Sequence, residues 1–316
     1  MESESPKELH YRRERERQLI EEHHEKFRDP DGTVNRKMSE YRDCPVCESS
    51  DERELFHKNG GRYVACEGCG MIYLNPCLTS TALSDYYSFN TTIQAESHRI
   101  ERDFYEAIYK SGLELLSGSV TGGSVLDVGC SGGLFLDVAK AAGWETFGTE
   151  LNVSEAALAK ASGHRIWCSS AEYVQFGRTF DAITLWDVFE HLRDGRAFLD
   201  FARALLSPGG ALFMQIPNGG ALAARMLQEK CNMFDGLEHL SLFDPYTITM
   251  MAASARWEVV EMRSVIDEIR PMLNHLNYEH PYRGSFEFFA TFDFLDSERL
   301  LSKMLGYKLQ IVLRPL

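Results

Sequence analysis

No segment of this 316-residue chain is apolar for the length that a bilayer crossing needs. The first residues are dense in charge and lack the apolar run of a secretory signal, so neither export nor a membrane span is expected. Excess basic charge is also missing. The 33 Lys and Arg residues face 47 Asp and Glu, a formal net charge of −14. Phosphate contacts supply most nonspecific affinity for nucleic acid, and no basic patch interleaved with stacking aromatics offsets the deficit, so a nucleic-acid partner is not expected. Internal repeats are absent. Eight cysteines, four in one cluster and the rest scattered, do not read as a disulfide framework and point to a reducing compartment, by default the cytoplasm. What the chain does have is 44% hydrophobic residues, enough for one large domain with a smaller appendage.

The most informative stretch is Val125-Leu126-Asp127-Val128-Gly129-Cys130-Ser131-Gly132-Gly133. Apolar positions run into a glycine-rich turn, and an alanine-rich amphipathic segment follows, which predicts strand, loop and helix at the start of a nucleotide-binding α/β sheet. Glycines there let a ligand approach the backbone. Gly129, Gly132 and Gly133 read G-x-x-G-G and miss the G-x-G-x-x-G spacing that holds a dinucleotide pyrophosphate. Glu145–Leu151 predicts a second strand ending at Glu150, roughly 20 residues beyond the glycine loop, where an acid can accept both hydroxyls of a ribose. Further strands are expected at Arg165–Cys168, Phe180–Asp187 and Leu206–Asn218, with late alternating strands at Trp257–Met262 and Lys308–Leu313.

A second signal is Cys44-Pro45-Val46-Cys47 followed, 18 residues later, by Cys66-Glu67-Gly68-Cys69. This spacing matches a four-cysteine zinc ribbon, with Arg62–Ala65 as the strand carrying the second knuckle. The rival, a redox C-x-x-C pair, lacks the thioredoxin-like unit that should surround it. Four protein ligands close the site, so a zinc ion there is expected to be structural. Residues 1–40 are a charged extension in which Tyr11–Arg17 and Glu21–Lys26 predict a solvated helix laced with i,i+4 pairs; His23 and His24 are a weaker metal candidate.

Asp127-Val128-Gly129-Cys130-Ser131-Gly132-Gly133 resembles the first motif of the class I S-adenosylmethionine (SAM) methyltransferases. Glu150, Ser170-Ala171-Glu172, the Trp186-Asp187 to Glu190-His191 segment, and Leu206-Ser207-Pro208-Gly209-Gly210 extend the likeness to five ordered motifs over about 95 residues. The resemblance implies an α/β, Rossmann-like seven-stranded sheet, its last strand antiparallel between the fifth and sixth, preceded by the small zinc ribbon. It also implies a cofactor site: a loop of Asp127, Gly129, Cys130, Ser131 and Gly132 around the methionine moiety, Glu150 and Leu151 at the ribose, Ala171 and Glu172 at the adenine, Trp186 and Asp187 closing the pocket. Cys130 reads as a small filler rather than a nucleophile.

The pattern C-P-x-C … C-x-x-C-G-x-x-Y-x-N-P, completed here by Tyr73, Asn75 and Pro76, is similar to bacterial methyltransferases found with sugar- and polysaccharide-tailoring enzymes; the likeness covers roughly residues 41 to 265. It divides the chain into an extension (1–40), a ribbon (41–78), a helical connector (79–118) and a SAM-binding domain (119–316) with lid insertions near 219–240 and 268–305. The acceptor implied is a sugar or glycan-linked hydroxyl, or a carbon in its place.

Two Glu-His pairs are candidates for taking the acceptor proton. Glu238-His239, within E-H-L-x-x-F, resembles the segment whose histidine is the proposed base in sugar methyltransferases, although the family's tyrosine is Leu242 here. A carboxylate neighbour tunes a histidine for this work, which makes His239 the first candidate and His191 the second. Asp187, Glu190 and His191 resemble the E-x-x-E-H group that binds a divalent ion in quinone-pathway O-methyltransferases, with Asp for the first Glu; positions 187 and 191 would share one face if a helix started there. A quinone or natural-product phenol is the alternative acceptor. Zinc-ribbon RNA methylation is a second alternative, opposed by the acidic charge and the lack of an N-P-P-Y motif after the fourth strand. A non-catalytic binding module is the third class, opposed by the intact acids. Phe286, Phe288, Phe289, Phe292 and Phe294 suggest core packing, a substrate wall or a dimer contact.

Overall fold

Runs of apolar residues buried on both faces mark the early strands, and they form the centre of the sheet. The structure is a computed structural model that describes residues 21–87, 93–278, 282 and 296–316. The seven strands are β6 (Ser124–Val128), β7 (Glu145–Thr149), β8 (Arg165–Trp167), β9 (Phe180–Trp186), β10 (Leu206–Pro217), β12 (Trp257–Val265) and β13 (Lys308–Pro315). Every residue of β6 is buried, as expected for a strand covered on both faces. The order is β12-β13-β10-β9-β6-β7-β8, with β13 antiparallel to both neighbours. This is the mixed sheet that the motifs implied, and the strand order reverses between β6 and β9, so a crevice opens at their carboxyl ends.

Helices follow from local signals. The helix α5 (Val153–Ala161) is capped by Asn152, whose side chain accepts from Ser154 N and Glu155 N; α8 (Pro245–Ser254) starts on a capping box between Asp244 and Thr247, with Pro at its first turn. The connector forms α1 (Ser80–Tyr87), α2 (Ile93–Ile100) and α3 (Arg102–Ser117), the last two broken at Glu101. The remaining helices are α4 (Leu134–Ala141), α6 (Gly195–Leu205), α7 (Leu222–Leu227), α9 (Ile269–Tyr278) and α10 (Ser297–Ser302).

The segment expected to form a ribbon does not stand apart. Its strands β2 (Glu52–Lys58), β3 (Gly61–Cys66) and β4 (Ile72–Leu74) are joined by β11 (Ser241–Leu242), a strand from beyond β10, in the antiparallel order β11-β4-β3-β2. Leu242 pairs with Ile72 and Ser241 with Tyr73. Two further strands, β1 (Ser39–Glu40) and β5 (Cys77–Leu78), pair separately. Cys44, Val46, Val64, Met71 and Tyr73 share one apolar core with Phe189, Phe198 and Leu212 of the large sheet. Fully burying a side chain of that size contributes about 1.5–3 kcal/mol, so the two sheets stabilise each other.

Two expectations differ. The solvated helix predicted around residues 11–26 is helical over 21–25, but His23, Phe27 and Val34 are buried against Tyr86 and Leu83, so this stretch is anchored rather than free; residues 1–20 lie outside the described residues. No helix starts at Asp187: residues 189–191 make a single 3-10 turn, and Asp187 itself has φ +55°. Positions 187 and 191 therefore do not share a helical face. The Phe-rich segment 286–294 also lies outside the described residues. No described helix is long and apolar enough to cross a membrane.

Candidate active site

The glycine loop leaves β6 at the crevice. Gly129 and Gly133 take φ +74° and +88°, and Ser131 takes +48°. A Cβ on Gly129 would come 2.8 Å from Val188 Cγ2, and one on Gly132 would come 2.9 Å from Ala95 Cβ, so only glycine fits this cradle. Gly129 N and Cys130 N both donate to Thr149 O, fixing the loop to the end of β7. The Cys130 thiol is buried against Gly148, the filler role expected of it.

Glu150 directly follows β7 and accepts from Ser131 N and Asn152 N, each at 2.8 Å. Ser131 Oγ in turn donates to Glu155, which also accepts from Ala95 N at 2.9 Å and so ties α2 over the loop. Asp127 is 2% exposed and accepts from Thr184 Oγ1 at 2.7 Å; burial pushes its carboxyl up to about 8. A cationic amine opposite it would restore the charged form. Leu151 is 49% exposed, Ala171 is buried, and Glu172 is exposed and accepts from Ser170 Oγ. The Trp186 ring packs among Tyr109, Phe135 and Phe213 on the α3 side of the sheet, with no partner for its Nε1–H among the described residues. A cradle that a Cβ would fill and a buried acid facing the crevice both suit a nucleoside cofactor with a cationic amine, which SAM is.

The sequence singled out Glu190, His191, Glu238 and His239, and the fold brings them together beyond the ends of β9 and β10. The imidazoles of His191 and His239 lie 4.9 Å apart. His239 Nδ1 lies 2.6 Å from Met233 O and 3.1 Å from Asp235 Oδ2. A carbonyl only accepts, so the proton sits on Nδ1 and the free lone pair of a neutral ring is on Nε2. His191 Nδ1 likewise donates to Glu238 O at 3.0 Å and lies 2.9 Å from the Tyr87 hydroxyl. Glu190 is fully buried, and neither of its carboxyl oxygens has a hydrogen-bond partner among the described residues.

Electrostatics separate these groups. Burial raises Glu190 and, together with Asp235, raises Glu238. Burial and the neighbouring His239 hold His191 well below the usual histidine range. Burial alone would lower His239, but the carboxylates of Asp235, Glu190 and Glu238 outweigh it and lift it to about 9. Asp187 turns away from the histidines. It pairs with Lys308 at the start of β13 and accepts from Gln215 Nε2 at 3.2 Å.

Sequence reasoning gave His239 to Glu238; its closer carboxylate is Asp235, four residues before it, whose oxygens also cap Leu237 N, Glu238 N and His239 N. An Asp one residue before a Gly, ahead of E-H, is a turn signal that could have found it. Lys308 and Tyr87 left no such local signal.

Two clusters have metal-ligand spacing among the described residues. Cys44, Cys47, Cys66 and Cys69 form the first, with Cys44 and Cys69 Sγ at 3.5 Å and Cys47 and Cys66 Sγ at 3.4 Å. Four sulfurs about 2.3 Å from one tetrahedral ion would lie about 3.8 Å apart, so the set fits zinc. Backbone N–H groups of Val46 and Cys47 aim at Cys44, and those of Gly68 and Cys69 at Cys66. Glu190, His191 and His239 form the second, with ligand atoms within 4.8 Å of one another.

A doubly wound sheet with a glycine cradle and an acid at its switch point defines a nucleoside-cofactor enzyme of the Rossmann-like class. A family model described as a methyltransferase domain matches residues 100–262, just over half of the chain, and the chain belongs to that family. It thus carries a methyltransferase domain. It is similar to the ubiquinone biosynthesis O-methyltransferase of Xylella fastidiosa (strain M23), 33% identical over 117 residues, which are 34% of this chain and 47% of that protein. The enzyme of the same name from Rhizobium etli is 32% identical over 109 residues, 32% of this chain and 44% of that protein. The chain thus spans about half the length of the curated relatives it matches. In fold it is similar to the plantazolicin methyltransferase BpumL in complex with SAH, at TM-score 0.50 and 13% identity, covering 73% of this chain and 93% of that one.

Proposed function

We propose that this enzyme methylates a hydroxyl oxygen of a small-molecule acceptor, with His239 as general base, and that the acceptor is a sugar or glycan-linked unit. The observation that carries the reading is the Asp235–His239 pair, 3.1 Å apart, with the His239 ring 4.9 Å from that of His191. SAM, when bound, supplies an electrophilic methyl group with a neutral thioether as its leaving group. Asp127, Gly129, Cys130, Ser131, Gly132 and Glu150 would hold it, with Leu151, Ala171 and Glu172 at the nucleoside and Trp186 and Asp187 beneath the pocket.

The residues of the chain do the rest. His239 Nε2 accepts the hydroxyl proton, Asp235 keeps Nδ1 protonated and balances the imidazolium, and Glu238 and His191 complete the wall of the pocket. The four cysteines hold a structural zinc ion in a ribbon at 41–78, between an extension (1–40) and a connector (79–118) that leads into the SAM-binding domain (119–316). A lid segment near 219–240 covers the acceptor; of the second expected lid, 268–305, residues 279–281 and 283–295 lie outside the described residues.

A second reading, methylation of a quinone-type phenol, is supported by the relatives, which are named for that chemistry, and by Tyr87 beside His191. Transfer of labelled methyl from SAM into fractionated extract of the source cells, with His239→Ala as control, separates the two. Label in sugar nucleotide or polysaccharide, lost in the variant, supports the first; label in a lipid-soluble phenol selects the second. Nuclease-sensitive label overturns both.

A further inference from the structure

The loop that carries Asp235 and His239 has little structure of its own. Residues 231–240 contain no helix or strand, yet their backbone is held at point after point, and the holding groups belong to the ribbon. Lys58 Nζ donates to Cys231 O at 2.8 Å, and Asn59 Nδ2 to Asp235 O at 3.0 Å. Gly236 N donates to the Tyr63 hydroxyl at 3.1 Å, inside a fully buried contact. Leu74 N donates to Leu240 O at 3.0 Å, and Arg42 donates to Leu240 O and to Ser241 Oγ. Phe234 packs edge-on against both Phe56 and Tyr63, with ring centroids 4.9 Å apart in each case.

The approach is as close as backbone allows. A Cβ on Gly61 would run into Gly236 O and sit 2.6 Å from Gly236 Cα, while Gly236, at φ +91°, lies equally tight on Lys58 O. Glycine at both positions is what lets the ribbon's hairpin tip touch the turn that sets Asp235 beside His239. The cysteine cluster lies at the other end of the same strand: β3 runs from Gly61 to Cys66, about 17 Å at the usual rise per residue.

We propose that Tyr63 is a positioning residue for the methyl-transfer reaction and that the ribbon is the template on which the proton-accepting loop is folded. The proposal rests on the assignment of His239 as base. Tyr63 acts through Gly236: its hydroxyl fixes the turn, the turn fixes the Asp235 carboxylate, and the carboxylate fixes the tautomer and direction of the His239 ring. The ribbon thereby contributes to turnover by placement, through residues that touch neither cofactor nor acceptor.

The test uses the full chain carrying Tyr63→Phe, which removes one hydroxyl, or Gly61→Ala, which pushes the turn away without deleting a hydrogen bond from the ribbon. Three quantities are read: SAH affinity, exchange of the His239 Nδ1 proton by NMR on histidine-labelled protein, and labelled methyl transfer into the acceptor fraction found above. The expected result is at least tenfold faster Nδ1 exchange and about tenfold slower transfer in both variants, with SAH affinity within twofold of the parent. Unchanged exchange and transfer in both variants would overturn the proposal. Loss of SAH binding in both would also overturn it, because the damage would then be global rather than local to the loop. Faster exchange with undiminished transfer, together with an active His239→Ala variant, would support the placement and overturn the base assignment instead.

Discussion

Asp235 Oδ2 lies 3.1 Å from His239 Nδ1, and the same carboxylate caps the backbone N–H of His239. One side chain therefore sets both the turn and the ring that the turn presents. Replacing it with Asn removes the charge and leaves one accepting oxygen, enough for the caps on Leu237 N and Glu238 N but not for the one on His239 N. Asp235→Asn is expected to lower turnover by about 10²-fold and His239→Ala by about 10²–10⁴-fold, the range of a lost general base. The active form of the base is neutral, and His239 stands at about 9, so kcat/KM of the parent should rise with pH toward that value. Without the Asp235 charge the rising limb should move to lower pH. A limb that stays in place in Asp235→Asn contradicts the pairing.

Asp127 gives a prediction for cofactor binding. Its carboxyl is raised to about 8 by burial, so at pH 7 the free protein carries this proton. A cation placed opposite favours the carboxylate, so binding of SAH should release close to one proton, and affinity should increase with pH and level off above about 8. For stability the sign is opposite: a raised carboxyl favours the folded state while protonated, and that contribution is lost as pH climbs from about 4 to about 8. Calorimetry in two buffers of different ionisation enthalpy reads the proton directly. Proton uptake, or none, is the contrary result, and Asp127→Asn should show none.

The sulfur cluster predicts about one zinc per chain by elemental analysis of protein purified without added metal. Chelation, or Cys47→Ser, should lower the thermal midpoint by several degrees, since metal binding to a closed four-cysteine site is linked to folding. A full-strength midpoint in metal-free protein would rule out a structural ion.

Lys308 and Asp187 form a half-buried pair, with side chains 21% and 30% exposed. Lys308→Met strands the carboxylate and should cost about 2 kcal/mol, less than the 3–5 kcal/mol for a fully buried pair because solvent still reaches the site. Asp187→Asn in the same chain should recover most of the loss. If the double variant is no more stable than Lys308→Met, the pair is not coupled.

Much of this was written locally. The glycine loop, the acid after β7, the L-x-P-G-G turn and the two cysteine knuckles each need only a few neighbouring residues to be recognised, and the seven-stranded sheet carries the first three in the expected order. What was hidden depends on distant segments meeting. Lys308 sits 121 residues from Asp187, and nothing around it distinguishes it from a surface lysine. Strand β11 is two residues long, below what alternation can reveal, and it exists because β4 offers it an edge. The condition under which Asp187 and His191 would share a helical face is not met, because a positive φ at Asp187 turns the chain before a helical turn can form.

Strand β13 is inserted between β10 and β12, although every other strand of that sheet precedes it in sequence. A nascent chain that has reached α9 can assemble β8, β7, β6, β9 and β10 and shape the glycine cradle, yet the flank of β10 is still bare. Such a flank is a template for the wrong partner until its own strand arrives. The order of synthesis thus separates two events in time: the glycine cradle can form first, and the Lys308 partner of Asp187 reaches it only once β13 has been made.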